Sequence, residues 1–379
     1  MLKVCGVTFD HTTNYGSCLQ AFALQKVIED MVIDNERCEY QLIPHRTFPA
    51  ARPKGGSPVL QLKRFIARRM ANYRRSKFQP FETRYMHFAE CNNQKKLGEI
   101  GHAYDAYVCG SDVIWNLSFT KADPIYFLDF AERYKFSYAA SFGVKDIDHD
   151  YTGFDGDELP SQIFARYLPT LNSIGVREKS AVEIVRKIAG MPAEQVCDPV
   201  LLLTADQWRS IASTSNRKPY IFAYSTHPSD NYLSFINRLK RQTGLPVIHV
   251  TWDLKTALFH GALLVPTPEE WLGLLAGAEY VVTNSFHATV FSCIFHKNFY
   301  WAKKTQTVQG IGIRLYDFLQ EMGLVNRAYG NTPDIIDTAP PCFDKADICI
   351  QQQRERSLAF LHTNLEAAYR QKILKRTPD

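Results

Sequence analysis

The chain alternates short apolar runs with helical stretches, and after one polar break the alternation starts again. In the first half the apolar runs are Lys3–Phe9, Ala106–Cys109, Lys135–Ala140, Ser173–Val176 and Gln195–Cys197, with helical patterns at Ser17–Asp30 and Glu178–Ala189. Runs this short, spaced by helices, read as parallel strands buried on both faces. The break is Ser213-Thr-Ser-Asn-Arg-Lys-Pro219, polar and closed by a proline, which suits a linker. Beyond it, Tyr220–Ser225, Val247–Thr251, Ala262–Val265, Tyr280–Thr283 and Phe299–Ala302 read as strands, with Tyr232–Gln242, Pro268–Gly277, Ala288–Phe295 and Leu315–Met322 as helices. The expected fold class is therefore α/β, with two Rossmann-like, doubly wound domains facing across a cleft. The expected division is 1–212 and 213–345, followed by a C-terminal helix within 346–379 on which Leu358, Leu361, Leu365 and Ala368 form one stripe.

Composition narrows the setting. The chain has 379 residues, enough for two domains that each bury a core, and its 45% hydrophobic content argues against disorder. Nine cysteines stand singly from Cys5 to Cys349, with no Cys-x-x-Cys pair and an odd total. That pattern points to reduced thiols in a cytoplasm rather than to a disulfide framework or a zinc site. No cluster has metal-ligand spacing, so no essential metal is expected. The first apolar run is too short for the core of a signal peptide, and nowhere do eighteen apolar residues stand in succession.

Charge is distributed unevenly. Residues 52–84 hold ten Lys and Arg (Arg52, Lys54, Lys63, Arg64, Arg68, Arg69, Arg74, Arg75, Lys77, Arg84) against Glu82 alone. Within that segment Val59, Leu62, Phe65, Ile66, Met70 and Tyr73 recur at helical spacing, so the basic residues crown an amphipathic helix. Such a helix either packs on its own domain with a solvated basic face or lies against anionic lipid headgroups.

In open α/β sheets ligands bind beyond the carboxyl ends of strands, so the residues immediately after each apolar run are the candidates for a site. Glu279–Phe295 reads as strand, sharp turn and helix, with Asn284 and Ser285 suited to a cap and His287 in the helix's first turn. Free backbone N–H groups and the positive dipole end there favour a phosphate or carboxylate, with the imidazole beside it; the alternative is a capping or half-buried ring. Arg177, directly after Ser173–Val176, could clamp an anion through two N–H groups, or pair with Glu178 or Asp198. Gly110, Ser111 and Asp112 come after another strand; Asp112 could accept from a sugar hydroxyl or cap the next turn. Asn14, Tyr15 and Gly16 precede a helix N-terminus that could hold an anion or a hydroxyl, or simply form a tight turn.

Several of these segments stand in a recognisable order: Phe9-Asp-His-Thr-Thr-Asn-Tyr-Gly-Ser-Cys-Leu-Gln20, Tyr107-Val-Cys-Gly-Ser-Asp-Val-Ile-Trp-Asn116, Ser137-Tyr-Ala-Ala-Ser-Phe-Gly143, Val176-Arg-Glu-Lys-Ser180, Asp198-Pro199 and the His287 block. From about residue 3 to about residue 325 the chain resembles the polysaccharide pyruvyl transferase family. The resemblance implies a GT-B-like fold, with the acceptor on the first domain, the donor on the second, and the terminal helix crossing back. It implies transfer of a pyruvyl group from phosphoenolpyruvate to a sugar of a surface polysaccharide or its precursor, usually closing a cyclic ketal, with no other cofactor.

In that scheme Arg177 and His287 are catalytic, and Arg177, Asn284, Ser285, His287 and Arg314 bind the donor. Asn14, Tyr15, Gly16, Gly110, Ser111 and Asp112 bind the acceptor, a sugar or lipid-linked oligosaccharide. Glu178, Asp112 and Asp198 compete for the role of base. The implied setting is cytoplasmic, with a peripheral membrane contact and no nucleic acid. One departure stands out: many relatives place arginine two residues before the histidine, where this chain has Ser285. Arg314, Lys303 and Lys304 are the candidates to supply the missing cation. The alternatives are a GT-B-type glycosyltransferase that uses a nucleotide sugar, and a non-catalytic carbohydrate-binding relative.

Overall fold

The structure is a computed structural model that describes residues 1–9, 13–44, 57–91, 93–151, 153–154, 156–214, 217–225, 228–251, 265–302, 311–329 and 335–374. Among these residues the chain builds two sheets. The first contains β1 (Leu2–Val7), β2 (Val32–Ile33), β3 (Glu36–Leu42), β4 (Ala106–Cys109), β5 (Tyr134–Ala140), β6 (Ser173–Val176) and β7 (Glu194–Gln195), in the order β2-β3-β1-β4-β5-β6-β7. The second contains β8 (Ile221–Ser225), β9 (Val247–Thr251), β10 (Tyr280–Thr283), β11 (Asn298–Ala302) and β12 (Ala328–Tyr329), in the order β12-β11-β10-β8-β9. Every pairing is parallel except β2 with β3. The polar run 213–219 lies between the last strand of one sheet and the first strand of the other.

The expected strands appear because their residues are apolar on both faces: β4 and β8 are buried at every position. Of the expected strand Ala262–Val265, all but Val265 lies outside the described residues. Strands β2 and β3 are additions to that expectation. They form a hairpin on the turn Asp34-Asn35, both at positive φ (49° and 63°), the backbone a tight two-residue hairpin requires.

Both sheets reverse winding direction beside their first parallel strand, between β1 and β4 and between β8 and β10. Loops leaving the carboxyl ends of these pairs diverge to opposite faces and open a crevice. The helices that frame it are α1 (Tyr15–Asp30), α2 (Pro58–Tyr85), α3 (Lys179–Ala189), α4 (Pro268–Ala276), α5 (Phe286–Ile294) and α6 (Ile311–Met322). A last helix, α7 (Asp344–Leu374), begins beside the second sheet, where Asp347 meets His296 at 2.8 Å, and ends on the first. There Phe360 packs on Tyr138, Asn364 accepts from the Tyr134 hydroxyl at 3.0 Å, and buried Lys372 pairs with Asp105 at 3.0 Å.

One apolar core runs from the first sheet into the second. Tyr15 of α1 packs against Phe78 of α2, Tyr224 of β8 and Trp271 of α4, and Trp271 continues to Phe291 of α5. Among the described side chains, helix α2 joins this core through its C-terminal half, where Phe78 and Phe81 are fully buried. Of the apolar stripe expected on its N-terminal half, Phe65, Ile66 and Tyr73 are exposed, Met70 is half-buried, and the side chains of Val59 and Leu62 lie outside the described ones.

Candidate active site

The chain beyond β6, β7 and β10, together with α6, lines one pocket of about 590 Å³, with Arg177, Glu178, Asp198, Phe286, Arg314 and Asp317 in its wall. Arg177 comes directly after β6, and its backbone N–H donates to the Ala140 carbonyl at 3.2 Å, which fixes it at the strand end. Its Nη1 donates to Asp198 at 2.8 Å and its Nε to Glu178 at 3.4 Å. The expected alternatives for Arg177, anion clamp or ion pair, are thus not exclusive. Its Nη2, although buried, has no hydrogen-bond partner among the described residues.

His287 lies one residue into α5. The capping role belongs to Ser285, whose hydroxyl accepts from the Ala288 N–H at 3.5 Å, so the imidazole is free for another task. Its Nε2 sits 3.4 Å from Asp198, an ion-pair separation without hydrogen-bond geometry, and it too lacks a hydrogen-bond partner among the described residues. The other edge of the ring abuts Gly16: a Cβ there would fall 2.1 Å from Nδ1. Glycine is required at that position by close approach, not by an unusual φ.

Arg314, in the first turn of α6, is only 8% exposed, and its Nε is again unpartnered among the described residues. Burial, and then the charge of Arg177, push its guanidinium down to about 10 against the pull of Glu178, Asp112 and Asp198. Two buried guanidiniums that repel one another persist because something holds them. Phe286 presents its ring to both, 4.6 Å from Arg177 and 5.9 Å from Arg314, and lies edge-on to Phe318.

Two carboxylates balance them. Asp198, beyond β7, caps the turn Pro199–Leu201 through the Val200 N–H at 3.1 Å and turns its other oxygen to Arg177. Burial alone would raise its carboxyl, yet His287 and Arg177 hold it well below the usual range. Asp112, beyond β4, adopts φ 66°, unusual for a non-glycine residue, while accepting from the Ser17 hydroxyl at 2.6 Å and its neighbour Val113 N–H at 2.8 Å. It is likewise raised by burial but pulled lower overall by His287 and Arg177.

The structure therefore brings Arg177, His287, Arg314, Asp112 and Asp198 into one charge network. The remaining candidates fall elsewhere. Tyr15 is fully buried in the aromatic core with its hydroxyl donating to the Pro266 carbonyl at 2.9 Å. Ser111 is fully buried and donates to the Ala139 carbonyl at 3.1 Å, while Gly110 at φ 126° passes so close to the Tyr138 carbonyl that a Cβ would sit 2.0 Å from it. Asn14 caps α1 through the Gly16 N–H at 2.9 Å, and Asn284 lies half-buried at the end of β10. Lys303 and Lys304 lie outside the described residues.

Three residues of the pocket wall and the charge network escape a reading by sequence. Phe286 sits beside a histidine whose chemistry draws the eye, and nothing in spacing reports that it faces two arginines. Asp317 stands three residues after Arg314, a helical spacing that places both on one side of α6 and is a usable signal. Ser17, next to Gly16, becomes a candidate once Asp112 is known to lie opposite.

Residues 14–302 match the family described as polysaccharide pyruvyl transferase. No curated protein sequence matches the chain. Among solved structures the chain is similar to a UDP-N-acetylglucosamine 2-epimerase from Rickettsia bellii, at 12% identity over 98% of this chain and 96% of that one, with a TM-score of 0.48. It is similar also to a putative UDP-N-acetylglucosamine 2-epimerase from Listeria monocytogenes, at 10% identity, 100% and 98% coverage and a TM-score of 0.47. At such scores the likeness carries no inference about the site.

Proposed function

The chain belongs to the polysaccharide pyruvyl transferase family, and so to the transferases; from that premise we propose that it moves the pyruvyl group of phosphoenolpyruvate onto a sugar of a surface polysaccharide or its precursor. One observation carries the reading. Arg177 Nη2, Arg314 Nε and His287 Nε2 are buried nitrogens without hydrogen-bond partners among the described residues, and the two guanidiniums share the Phe286 ring. Two guanidinium N–H groups and an imidazole gathered in one network form a cradle suited to an anion. A phosphoenol ester, with its phosphate and carboxylate, matches that cradle. Arg314 takes the part that Ser285 cannot play.

The chemistry assigned to these groups is balanced in protons and bonds. His287 gives a proton to the methylene carbon of the donor, and a sugar hydroxyl adds to the neighbouring carbon as it loses its own proton. Phosphate then leaves against Arg177 and Arg314, and a second hydroxyl closes the ketal and releases another proton. Asp112 and Asp198 are poor bases, because both are locked in the network and held below the usual range. Asp317 is the better choice: it lines the pocket, and its carboxyl is raised by burial, partly offset by Lys145 and reinforced by the charge of Glu178. A lipid-linked oligosaccharide acceptor and a peripheral place at the inner face of a membrane belong to the same proposal.

The test is incubation of the purified protein with phosphoenolpyruvate and a panel of sugar acceptors, and separately with UDP-sugars. Acceptor-dependent phosphate release, lost in Arg314→Met, is the expected result. Release of UDP instead would assign the pocket to a glycosyltransferase, and binding of sugar without release of either would make the chain a non-catalytic relative.

A further inference from the structure

Helix α2 is 28 residues long, and its two halves meet different surroundings. The C-terminal half is part of the core: Phe81 meets Phe22 at 5.5 Å, Phe78 meets Tyr15 at 4.9 Å, and Arg75 pairs with Glu82. Residues 64–69, in contrast, are all exposed. Phe65 is 56% exposed, Ile66 44% and Tyr73 51%, so three large apolar side chains face solvent within nine residues. At 100° per residue Phe65, Ile66 and Tyr73 fall within one third of the helix circumference, on the side opposite Phe78.

Cations interleave with these rings. The Arg69 guanidinium lies 5.7 Å from the Phe65 ring and the Lys77 ammonium 5.5 Å from that of Tyr73. Arg68 is exposed on the flank of Phe65, Arg64 points to the other side of the helix, and no acidic residue occurs between Ser57 and Phe81. We propose that this half of α2 is a docking face for a bilayer containing anionic lipid, with Phe65, Ile66 and Tyr73 seated at the headgroup–acyl boundary and Arg68, Arg69 and Lys77 on the headgroups.

The pairing of apolar and basic groups selects that occupant. A second copy of the chain would bring like charges together across the contact. A nucleic acid would satisfy the cations, but its phosphates offer nothing to Ile66. Anionic lipid rewards both, since rings and aliphatic chains settle at the interface while basic groups meet phosphate. The exposed stretch from Arg64 to Lys77 is about 21 Å long at 1.5 Å per residue, and no helix among the described residues is long and apolar enough to cross a membrane. The segment therefore lies along the surface. Arg74 and Arg75, basic in sequence, are left out of the face: Arg75 is tied to Glu82, and Arg74 lies on the side of the helix that carries Phe78.

This docking gives the proposed peripheral location its residues, and it does not depend on which donor the pocket takes. It also sets the site close to the membrane, because Phe78 rests on Tyr15 and the next residue, Gly16, touches His287.

The test is co-sedimentation of the full chain with vesicles of phosphatidylcholine alone and of phosphatidylcholine mixed with phosphatidylglycerol. Binding is expected to the mixed vesicles only. The triple substitution Phe65→Ser, Ile66→Ser and Tyr73→Ser should abolish it although every cation remains. The reversals Arg68→Glu and Arg69→Glu should weaken it at least about thirtyfold. All five side chains are exposed, so the melting temperature should not move. Three outcomes would overturn the proposal: wild-type protein that ignores mixed vesicles at low salt, serine variants that bind as well as wild type, or a dimer that the serine substitutions dissociate. Because no donor is present, failure here leaves the assignment of the pocket untouched, and failure of phosphate release leaves the docking face untouched.

Discussion

Two neighbouring residues of α1 enter opposite kinds of contact between the same two sheets. Tyr15 goes into a dry seam, stacked 5.2 Å from Trp271 and edge-on 5.7 Å from Tyr224. Gly16 touches His287 and so belongs to the charged pocket. The seam is made of rings that bury large areas and fix geometry by shape. The pocket is made of buried charges, which stabilise a fold weakly or not at all once desolvation is counted. The difference teaches a division of labour. The seam sets the relative position of the two sheets, and the pocket can then keep Arg177, Arg314 and His287 incompletely bonded, ready for a ligand.

The harshest way to break that division is Trp271→Ala. Removing a fully buried indole from the seam should cost about 3–5 kcal/mol, read as a shift of the denaturant midpoint at unchanged slope. Trp271→Phe should cost far less. A small loss for the alanine variant would mean that the charges, and not the rings, join the sheets.

Gly16→Ala attacks the other side of the same helix turn. The new methyl would sit 2.1 Å from His287 Nδ1, so the imidazole must move. Overpacking of this kind costs about 1–3 kcal/mol, and transfer should fall by at least about a hundredfold, since one displaced catalytic group commonly costs that much. Unchanged turnover would free His287 from the role given to it.

A ligand offers a reversible probe. If these groups await an anion, inorganic phosphate or phosphoenolpyruvate should stabilise the wild type by about 2.7 kcal/mol at a hundredfold excess over the dissociation constant, read as a higher melting temperature. Arg314→Met relieves the repulsion with Arg177, so it should melt at or above the wild-type temperature without ligand and gain nothing from phosphate. In Trp271→Phe, whose pocket is intact, the gain should persist.

The sequence announces the pocket better than the seam, for a physical reason. Strand ends are local: Arg177 and His287 can be placed at the carboxyl ends of β6 and β10 because apolar runs stop just before them. The resemblance adds Arg314, and geometry then brings all three together. The seam depends on partners far apart in the chain, and Tyr15 meeting Trp271 has no local signature. The resemblance thus assigns Tyr15 to the acceptor, while its ring is core. The same holds for α2, where helical periodicity is legible but the exposure of its apolar stripe is not. The hairpin β2–β3 is a different case: Asp34-Asn35 carries a local turn signal, but β2 is too short and β3 too polar to register as apolar runs.

Acid titration separates the regions by smaller effects, and the signs differ within the pocket. Asp198 has its folded pKa depressed, so the stability it contributes is present above the unfolded value, about 4, and is lost as the pH falls below that. Asp198→Asn should flatten this acid limb, whereas a seam variant should keep it. Asp317 runs the other way. Its pKa is raised, so its contribution is present below the unfolded value and is lost as the pH climbs through the folded one. Asp317→Asn should therefore melt slightly higher than wild type near neutrality and lose that advantage toward pH 4, the smallest effect of the series. The same variant has a kinetic signature that stability alone cannot produce. If the Asp317 carboxylate takes the acceptor's proton, wild-type transfer should decline as the pH drops through its raised pKa. The asparagine variant should be slow at every pH, with donor binding unchanged. An asparagine variant that keeps both its rate and the acid limb would leave Asp317 as a pocket wall and return the role of base to Glu178.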